Sequence, residues 1–160
     1  MENPVKLIYK FNKDAKFLDK PYNPWLEASF QIEEALEGFD VQTIAERLGL
    51  QPDNETSVDA KLLSRYILGE ASKTTHIAEV DLLDKACDAV VFAVGSMAKL
   101  GLSPNEIVQA LNVVMQANNA KLKNIKYDNE GKLVKNENFE GPESKLQKIL
   151  DNRSTRPIFN

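Results

Sequence analysis

The sequence predicts an all-α protein of about five helices packed as a bundle, with one small β-hairpin near its C-terminal end. Three observations predict this fold. Apolar residues recur at three- and four-residue spacing, capping residues followed by proline begin several segments, and the loops between the long segments are short. At 160 residues the chain has the length of one domain. We therefore expect residues 1–160 to form a single domain, with its core at about 19–150 and a loose tail at 152–160.

The composition limits the classes of protein to which the chain can belong. Apolar residues make up 42% and charged residues 28%, which suits a folded core. A formal charge of -4 argues against binding a nucleic acid polymer or an anionic membrane. One cysteine, Cys87, and one histidine, His76, exclude an intrachain disulfide, a thiolate zinc cage and two-histidine metal sites. Because no apolar run reaches about 20 residues and no signal sequence is visible, a soluble cytoplasmic protein is expected.

The first helix with a clear start signal begins at Pro24. Before it, residues 5–9 could begin either a strand or a short helix, and a loop with two prolines covers 19–24. Asn23 supplies an N-cap and Pro24 occupies the first helical position. The apolar spacing that follows predicts an amphipathic helix ending near Gly38.

Two shorter helices are predicted next. Asp40 caps the first of them, and Gly49 stops it. Residues 51–57 are polar and contain a proline, which indicates a loop. The apolar pattern then predicts a helix over about 58–70.

The strongest helical pattern runs from Ile77 to Leu100. Between Ala86 and Met97 it has no clear polar face, so we expect this part to be buried on most sides. A chain of this size would struggle to cover such a helix alone. The sequence therefore predicts a homodimer or a dimer of dimers.

The remaining elements have specific start signals. Ser103, Pro104 and Glu106 form a capping box with proline at the first helical position. Two short segments within 125–134 flank a glycine-containing turn, which predicts the hairpin. Pro142 opens a short last helix.

Two of the predicted helices carry acids at close spacing. These acids are Glu33, Glu34 and Glu37 on the helix that begins at Pro24, and Asp81, Asp84 and Asp88 on the long helix. Like charges three or four residues apart repel, so an offsetting interaction is expected. Asp88 lies in the part of the helix expected to be dry, where an unpaired carboxylate costs several kcal/mol.

A divalent cation is the simplest solution for these acids. If the two helices face each other, Glu34, Glu37, Asp81 and Asp84 converge as hard oxygen ligands, which suit Mg²⁺ or Mn²⁺. A Mg²⁺ ion that keeps some waters normally also binds phosphate oxygens, so the site points to phosphate-ester chemistry. For any single acid, a solvated face or a favourable helix dipole is the better explanation. For the whole set, function is favoured.

The acid pairs stand in the order of a known pair of motifs. Glu34–Glu37 resembles the E-x-x-E element, and Asp81–Asp84 the E-x-x-D element, of the all-α nucleoside triphosphate pyrophosphohydrolases. This superfamily includes the MazG proteins, the dimeric dUTPases and the phosphoribosyl-ATP pyrophosphohydrolases. Asp81 departs from the pattern, since the family usually has glutamate there, and its shorter side chain could loosen one metal contact.

Further segments resemble the phosphoribosyl-ATP pyrophosphohydrolase-like branch of that superfamily. The matching segments are Asp19–Pro21, Asp88–Gly95, Asn118–Leu122, Asp128–Lys135 and Phe139–Pro142. With the acid pairs, the resemblance covers about residues 19–150. It implies a MazG-like fold whose four-helix core is completed by dimerisation.

The resemblance also implies a reaction and roles for the acids. The reaction is hydrolysis between the α- and β-phosphates of a nucleoside triphosphate, giving a monophosphate and pyrophosphate. Mg²⁺ would be held by Glu34, Glu37, Asp81 and Asp84. Glu33 would be the base that orients or deprotonates the attacking water.

A triphosphate also needs cations and polar contacts. The candidates are Lys121, Lys132 and Lys135, with Asn118 and Asp88 as further residues of the substrate site. Each lysine alone could be a solvated surface charge, and Asn118 could simply cap a helix end. Asp88 could hold a second ion, Lys121 or the nucleotide.

Three readings of the function follow from these residues. The leading one is a house-cleaning pyrophosphohydrolase acting on dUTP, another deoxynucleotide or a modified nucleotide, with phosphoribosyl-ATP as a less favoured substrate. The second is a non-enzymatic helical protein–protein interaction or regulatory module whose acids lie on the surface. A di-iron bundle is nearly excluded, because it needs more than the one histidine present.

Overall fold

The computed structural model describes residues 2–50, 57–69, 77–129, 131–135 and 139–156, and within these ranges the protein is helical with no β-strand. The prediction of an all-α fold is confirmed. The α-helices of the described ranges are α1 (Pro4–Asp14), α2 (Pro24–Leu36), α3 (Val41–Arg47), α4 (Ala60–Gly69), α5 (Glu79–Lys99), α6 (Pro104–Lys121) and α7 (Glu143–Asp151). Short 3-10 turns lie at Phe17–Asp19 and Leu122–Asn124.

The helix count is seven in the described ranges, so the estimate of about five is too low. One reason is that the ambiguous segment near the N-terminus is helical, as α1. The Asn3 side chain accepts a hydrogen bond from the Val5 N–H at 2.9 Å, and Pro4 occupies the first helical position. The first N–H groups of a helix have no partner within the helix. The Asn3 side chain accepts a hydrogen bond from one of them, and proline has no N–H to satisfy.

The predicted hairpin is reduced to a bridged turn. Among the described residues, Tyr127 and Leu133 form an isolated antiparallel bridge and no strand extends from it. Asp128 N–H donates to the Lys132 carbonyl at 2.9 Å, and Val134 N–H to the Lys126 carbonyl at 2.9 Å. The flanking segments are too short for a ladder, and an isolated two-stranded hairpin is marginal in water.

The described residues of 22–84 form one compact unit. In this unit α2 packs along α4, and α3 also contacts α4. The core is made of Val41, Ala45, Val58 and Leu63, all at most 9% exposed.

The described residues of 1–21 and 85–160 form the other unit, here called the terminal unit. Its central helix is α6, which packs against α1 and α7. Leu102, Ile107, Ala110 and Ile149 form its core. Each unit thus has its own core, and a single five-helix bundle is not supported. Whether the whole chain acts as one domain stays a prediction.

The long helix α5 begins in the unit of residues 22–84 and continues in the terminal unit. It has no fully buried residue, although Met97 near its end packs against the terminal core. Val91 and Phe92 are 64% and 73% exposed. The described part of the chain therefore does not provide the expected burial of this helix.

No helix of the described ranges is, by itself, long and apolar enough to cross a bilayer. The pair α5 and α6 meets the criteria of length and composition only when taken together, and a bend of 113° separates the two helices.

Candidate functional site

Helix α2 carries Glu33 and Glu34, and Glu37 lies just beyond its end as the C-cap, with the non-helical backbone angles φ -58 and ψ 130. The Asn23 side chain caps the helix by accepting hydrogen bonds from the N–H groups of the next residues at 3.1 and 3.2 Å. Glu33 is buried at 8% exposure, whereas Glu34 and Glu37 are exposed. Neighbouring positions on a helix differ by about 100°, which is why adjacent glutamates face different surroundings.

Glu33 lies in the interface between α2 and α4 and pairs with Arg65 there. The Arg65 Nη2 group donates to Glu33 Oε2 at 3.2 Å, and its Nη1 group donates to the Ser64 hydroxyl at 3.0 Å. The guanidinium also lies 4.9 Å from the centre of the Phe30 ring. This arrangement offsets the cost of burying the carboxylate, since a buried charge needs a close partner of opposite sign.

Arg65 is the residue of this region that the sequence reasoning missed. It is the sole charged residue within 62–68, a segment otherwise made of apolar residues, one serine and one tyrosine. A basic residue in such a segment signals a buried acidic partner. The sequence does not say which acid, because Glu33 is 32 residues away.

The acids of α5 lie on its surface. Asp81, Asp84 and Asp88 are all exposed, and so is Cys87. The expectation that Asp88 lies in a dry part of the helix is wrong for the described chain. Its carboxylate is not desolvated there, so burial no longer argues for a bound cation at this position.

The predicted metal ligands have the chemistry that Mg²⁺ prefers, but the structure does not bring them together into a group that could hold a metal ion among the described residues. Glu34, Glu37, Asp81 and Asp84 would all offer carboxylate oxygens, which are the ligands that Mg²⁺ and Mn²⁺ prefer. Within the part of the chain that the structure describes, no group of three or more Asp, Glu, His or Cys side chains is placed to hold a metal ion. The metal site stays a prediction.

Three of the five predicted substrate residues, Asn118, Lys121 and Lys135, lie close together in the terminal unit. Lys121 Nζ donates to Asn118 Oδ1 at 2.8 Å, one turn apart at the C-terminal end of α6. The same Nζ lies 5.3 Å from the centre of the Phe139 ring, and Lys135 Nζ lies 5.6 Å from it. Asn118, Lys121, Lys135 and Phe139 are called the lysine cluster below.

The third predicted lysine, Lys132, lies in the bridged turn. Its N–H donates to Asp128 Oδ1 at 2.9 Å, and the Gly131 N–H donates to the Asp128 carbonyl at 2.9 Å. Lys135 follows three residues later and belongs to the lysine cluster. The turn and the cluster are therefore continuous along the chain.

The chemistry of the lysine cluster suits an anionic ligand. Lysine is a compact point charge that binds phosphate readily, and two ammonium groups beside one ring can share the charge of a polyphosphate. A structural role is also present, because Lys121 near the end of α6 interacts favourably with the helix dipole and with the aromatic ring.

The shifted pKa values lie outside these groups of residues. The pKa of Glu106 is lowered from its ordinary 4.5, because side-chain and then backbone hydrogen bonds with Ser103 stabilise its charged form. The pKa of Asp40 is lowered from 3.8 by its hydrogen bonds with Thr43. Both acids cap helices, so these shifts report capping and not a reaction site.

A cavity of about 310 Å³ in the terminal unit is also separate from the predicted site. It lies between α6 and α7, with Val113 and Ile149 as apolar lining and Glu106, Lys145 and Lys148 as charged lining. It contains none of the predicted metal, catalytic or substrate residues.

Comparisons of the chain with models of known protein families, with curated proteins and with solved structures give no significant match. The resemblance to the all-α pyrophosphohydrolases therefore depends on the motifs of the sequence alone.

Proposed function

We propose that the protein is a Mg²⁺-dependent hydrolase that converts nucleoside triphosphates into the monophosphate and pyrophosphate. The observation that carries the proposal is the lysine cluster, in which Lys121 and Lys135 meet at Phe139 and Lys121 holds Asn118. The residues of this cluster are spread over 21 positions of the sequence, from Asn118 to Phe139. Their convergence is what a polyphosphate would need, since its negative charge must be offset before an anhydride bond is attacked.

The carboxylates would supply the other half of the reaction. Glu34, Glu37, Asp81 and Asp84 would hold Mg²⁺ or Mn²⁺, and a bound ion neutralises phosphate charge and orients the phosphate for attack. Glu33 would orient the attacking water. Its ion pair with Arg65 fixes the direction of the carboxylate, which a positioned base requires.

The substrate class is a nucleoside triphosphate in which the phosphates, and not the base, are recognised by the residues named above. Asp88 and Lys132 complete the proposed substrate site. Both dUTP and other deoxynucleotides, including modified ones, fit the proposal, while phosphoribosyl-ATP stays the less favoured substrate.

We also propose that the protein works as a homodimer or a dimer of dimers. The support is the exposure of large apolar side chains on α5, where Val90, Val91 and Phe92 are between 63% and 73% exposed. Consecutive exposed apolar residues of this size are typical of an interface. Contact with α5 of a second copy would remove them from water.

The test of the activity is release of pyrophosphate and monophosphate from a panel of ribo- and deoxynucleoside triphosphates with Mg²⁺. We expect turnover by the wild-type chain and a loss of at least about 100-fold in the variants Glu34→Gln and Asp84→Asn, because each removes a charged ligand. Glu27→Gln is the matched control, since Glu27 is an exposed glutamate of the same helix. Equal activity in all three variants would contradict the assignment.

A second function, a helical protein–protein interaction module, is favoured by the same exposure of α5. The nucleotide panel separates the two. Absence of turnover with every nucleotide, together with no change of melting temperature on adding Mn²⁺, would support the module and exclude the hydrolase.

A further inference from the structure

Lys20 connects the N-terminal segment to the bridged turn. Its Nζ donates a hydrogen bond to the Gly131 carbonyl at 3.0 Å, across 111 residues of sequence. The same Nζ lies 4.7 Å from the centre of the Tyr127 ring and 5.2 Å from that of Phe17. One ammonium group is thus held by a carbonyl of the turn and by two rings, of which one begins the turn.

The surroundings of Lys20 fix the direction from which it approaches. The Tyr127 hydroxyl donates to the carbonyl of Ala15, a fully buried residue, at 2.8 Å. Phe17 packs edge-on against Tyr127, with ring centres 6.3 Å apart, and against Phe11 at 6.1 Å. The rings therefore tie the segment that ends α1 to the segment that starts the turn.

The turn leaves room for this lysine because residue 131 is glycine. Gly131 has φ +81, a backbone conformation that other residues rarely adopt. A Cβ added there would lie 2.5 Å from Lys20 Nζ. The glycine therefore permits both the turn and the approach of the ammonium group to its carbonyl.

Lys132 comes directly after the carbonyl that Lys20 binds, and Lys135 follows it into the lysine cluster. Between them Leu133 is buried at 9% exposure and is bridged to Tyr127, which also anchors this segment. Fixing Gly131 therefore fixes the start of the segment that carries both lysines.

We propose that Lys20 is a positioning residue for anion binding: it holds the bridged turn so that Lys132 and Lys135 face a polyphosphate together. The proposal rests on the proposed function, because it takes a polyphosphate as the ligand. Lys20 acts through the turn, since its ammonium group is already engaged by Gly131, Tyr127 and Phe17.

The experiment uses the full chain and inorganic tripolyphosphate, whose affinity is measured by calorimetry. Amide hydrogen exchange at Lys132 and Val134 is measured without ligand, since both N–H groups are bonded within the turn. The variants are Lys20→Met, which keeps the length of the side chain without its charge, and Lys20→Arg, which keeps the charge and a donor. Lys6→Met on α1 removes the same charge elsewhere and is the matched control.

In Lys20→Met we expect about tenfold weaker binding of tripolyphosphate and faster exchange of both amides, with the helical circular dichroism unchanged. Lys20→Arg should restore both properties, and Lys6→Met should change the affinity by no more than about twofold.

Each other outcome overturns a definite part of the proposal. Weaker binding with unchanged exchange would make Lys20 a direct ligand and not a positioning residue. Faster exchange with unchanged affinity would show that the turn does not position the anion site. Failure of the wild-type chain to bind tripolyphosphate would overturn the anion site of the proposed function, and the role of Lys20 with it.

Discussion

Helices α5 and α6 follow each other in sequence and are both long and largely apolar, yet their surroundings differ. In α6, Ile107, Ala110 and Met115 are buried, and the helix packs against α1 and α7. In α5 no residue is fully buried, and Phe92 is 73% exposed. The comparison shows that apolar content predicts that a segment is helical, but not which surface covers it. The described part of the chain itself buries the apolar residues of α6. It does not bury those of α5.

The largest expected effect is the loss of a buried side chain from α6. Ile107→Ala should lower the free energy of unfolding by about 2–5 kcal/mol, because it removes packed methyl groups and leaves a cavity. Phe92→Ala on α5 is the counterpart, and in dilute protein it should cost less than about 0.5 kcal/mol. Urea unfolding at low protein concentration measures both. Equal costs would show that α5 is covered within one chain.

The next effect concerns association. Val91→Asp places a charge among the exposed apolar residues of α5, and it should weaken the dimer by about 10- to 100-fold, since a charge without a partner is costly in an apolar interface. Sedimentation equilibrium should give a mass near one chain for the variant and a multiple of it for the wild type. Lys99→Gln, at the end of the same helix, changes the net charge by the same -1 and is the control. A wild-type chain that sediments as a monomer would contradict the proposed oligomer.

A smaller effect is expected at the start of α6. Ser103 accepts a hydrogen bond from the Glu106 N–H at 3.4 Å, and Glu106 Oε2 accepts one from the Ser103 N–H at 2.6 Å. Ser103→Ala should lower the free energy of unfolding by about 1 kcal/mol, the usual cost of losing such a cap. Ser103→Asp can still cap and should recover most of it. No difference between the two variants would mean that the cap adds nothing to stability.

The smallest effect is a pH dependence of the same cap. The pKa of Glu106 is lower in the folded protein than its ordinary 4.5, so its stabilising contribution is present above that pH and is lost as the pH falls through the lowered value. The difference in unfolding free energy between the wild type and Glu106→Gln should therefore shrink as the pH falls below 4.5. A difference that is constant from pH 7 to pH 2 would contradict this origin.

Local signals predicted the helices well. The capping box at Ser103 and the Asn23–Pro24 pair set the starts of α6 and α2 to the residue. These features depend on neighbours within four positions, which the sequence displays directly. The sequence predicts a β-hairpin where the structure has only a bridged turn, because the pattern of residues does not show whether the ladder of hydrogen bonds can extend.

Contacts between residues far apart in the chain could not be predicted from the sequence. The contact of Lys121 with Asn118 follows from helical spacing, but the meeting of Lys121 and Lys135 at Phe139 depends on how the chain returns after the turn. The pairing of Glu33 with Arg65 was missed for the same reason. Such contacts are set by packing between elements, for which composition and periodicity give no partner.

The ion pair between Glu33 and Arg65 has a consequence for how α2 can slide on α4. One helical turn is about 5.4 Å, so a shift of one turn in either direction would separate the two charges, and the largely buried Glu33 carboxylate would lose its partner. The hydrogen-bonded ion pair forms in only one of these registers. By fixing that register the pair also fixes the rotation of α2, and with it the direction in which Glu34 projects from the helix.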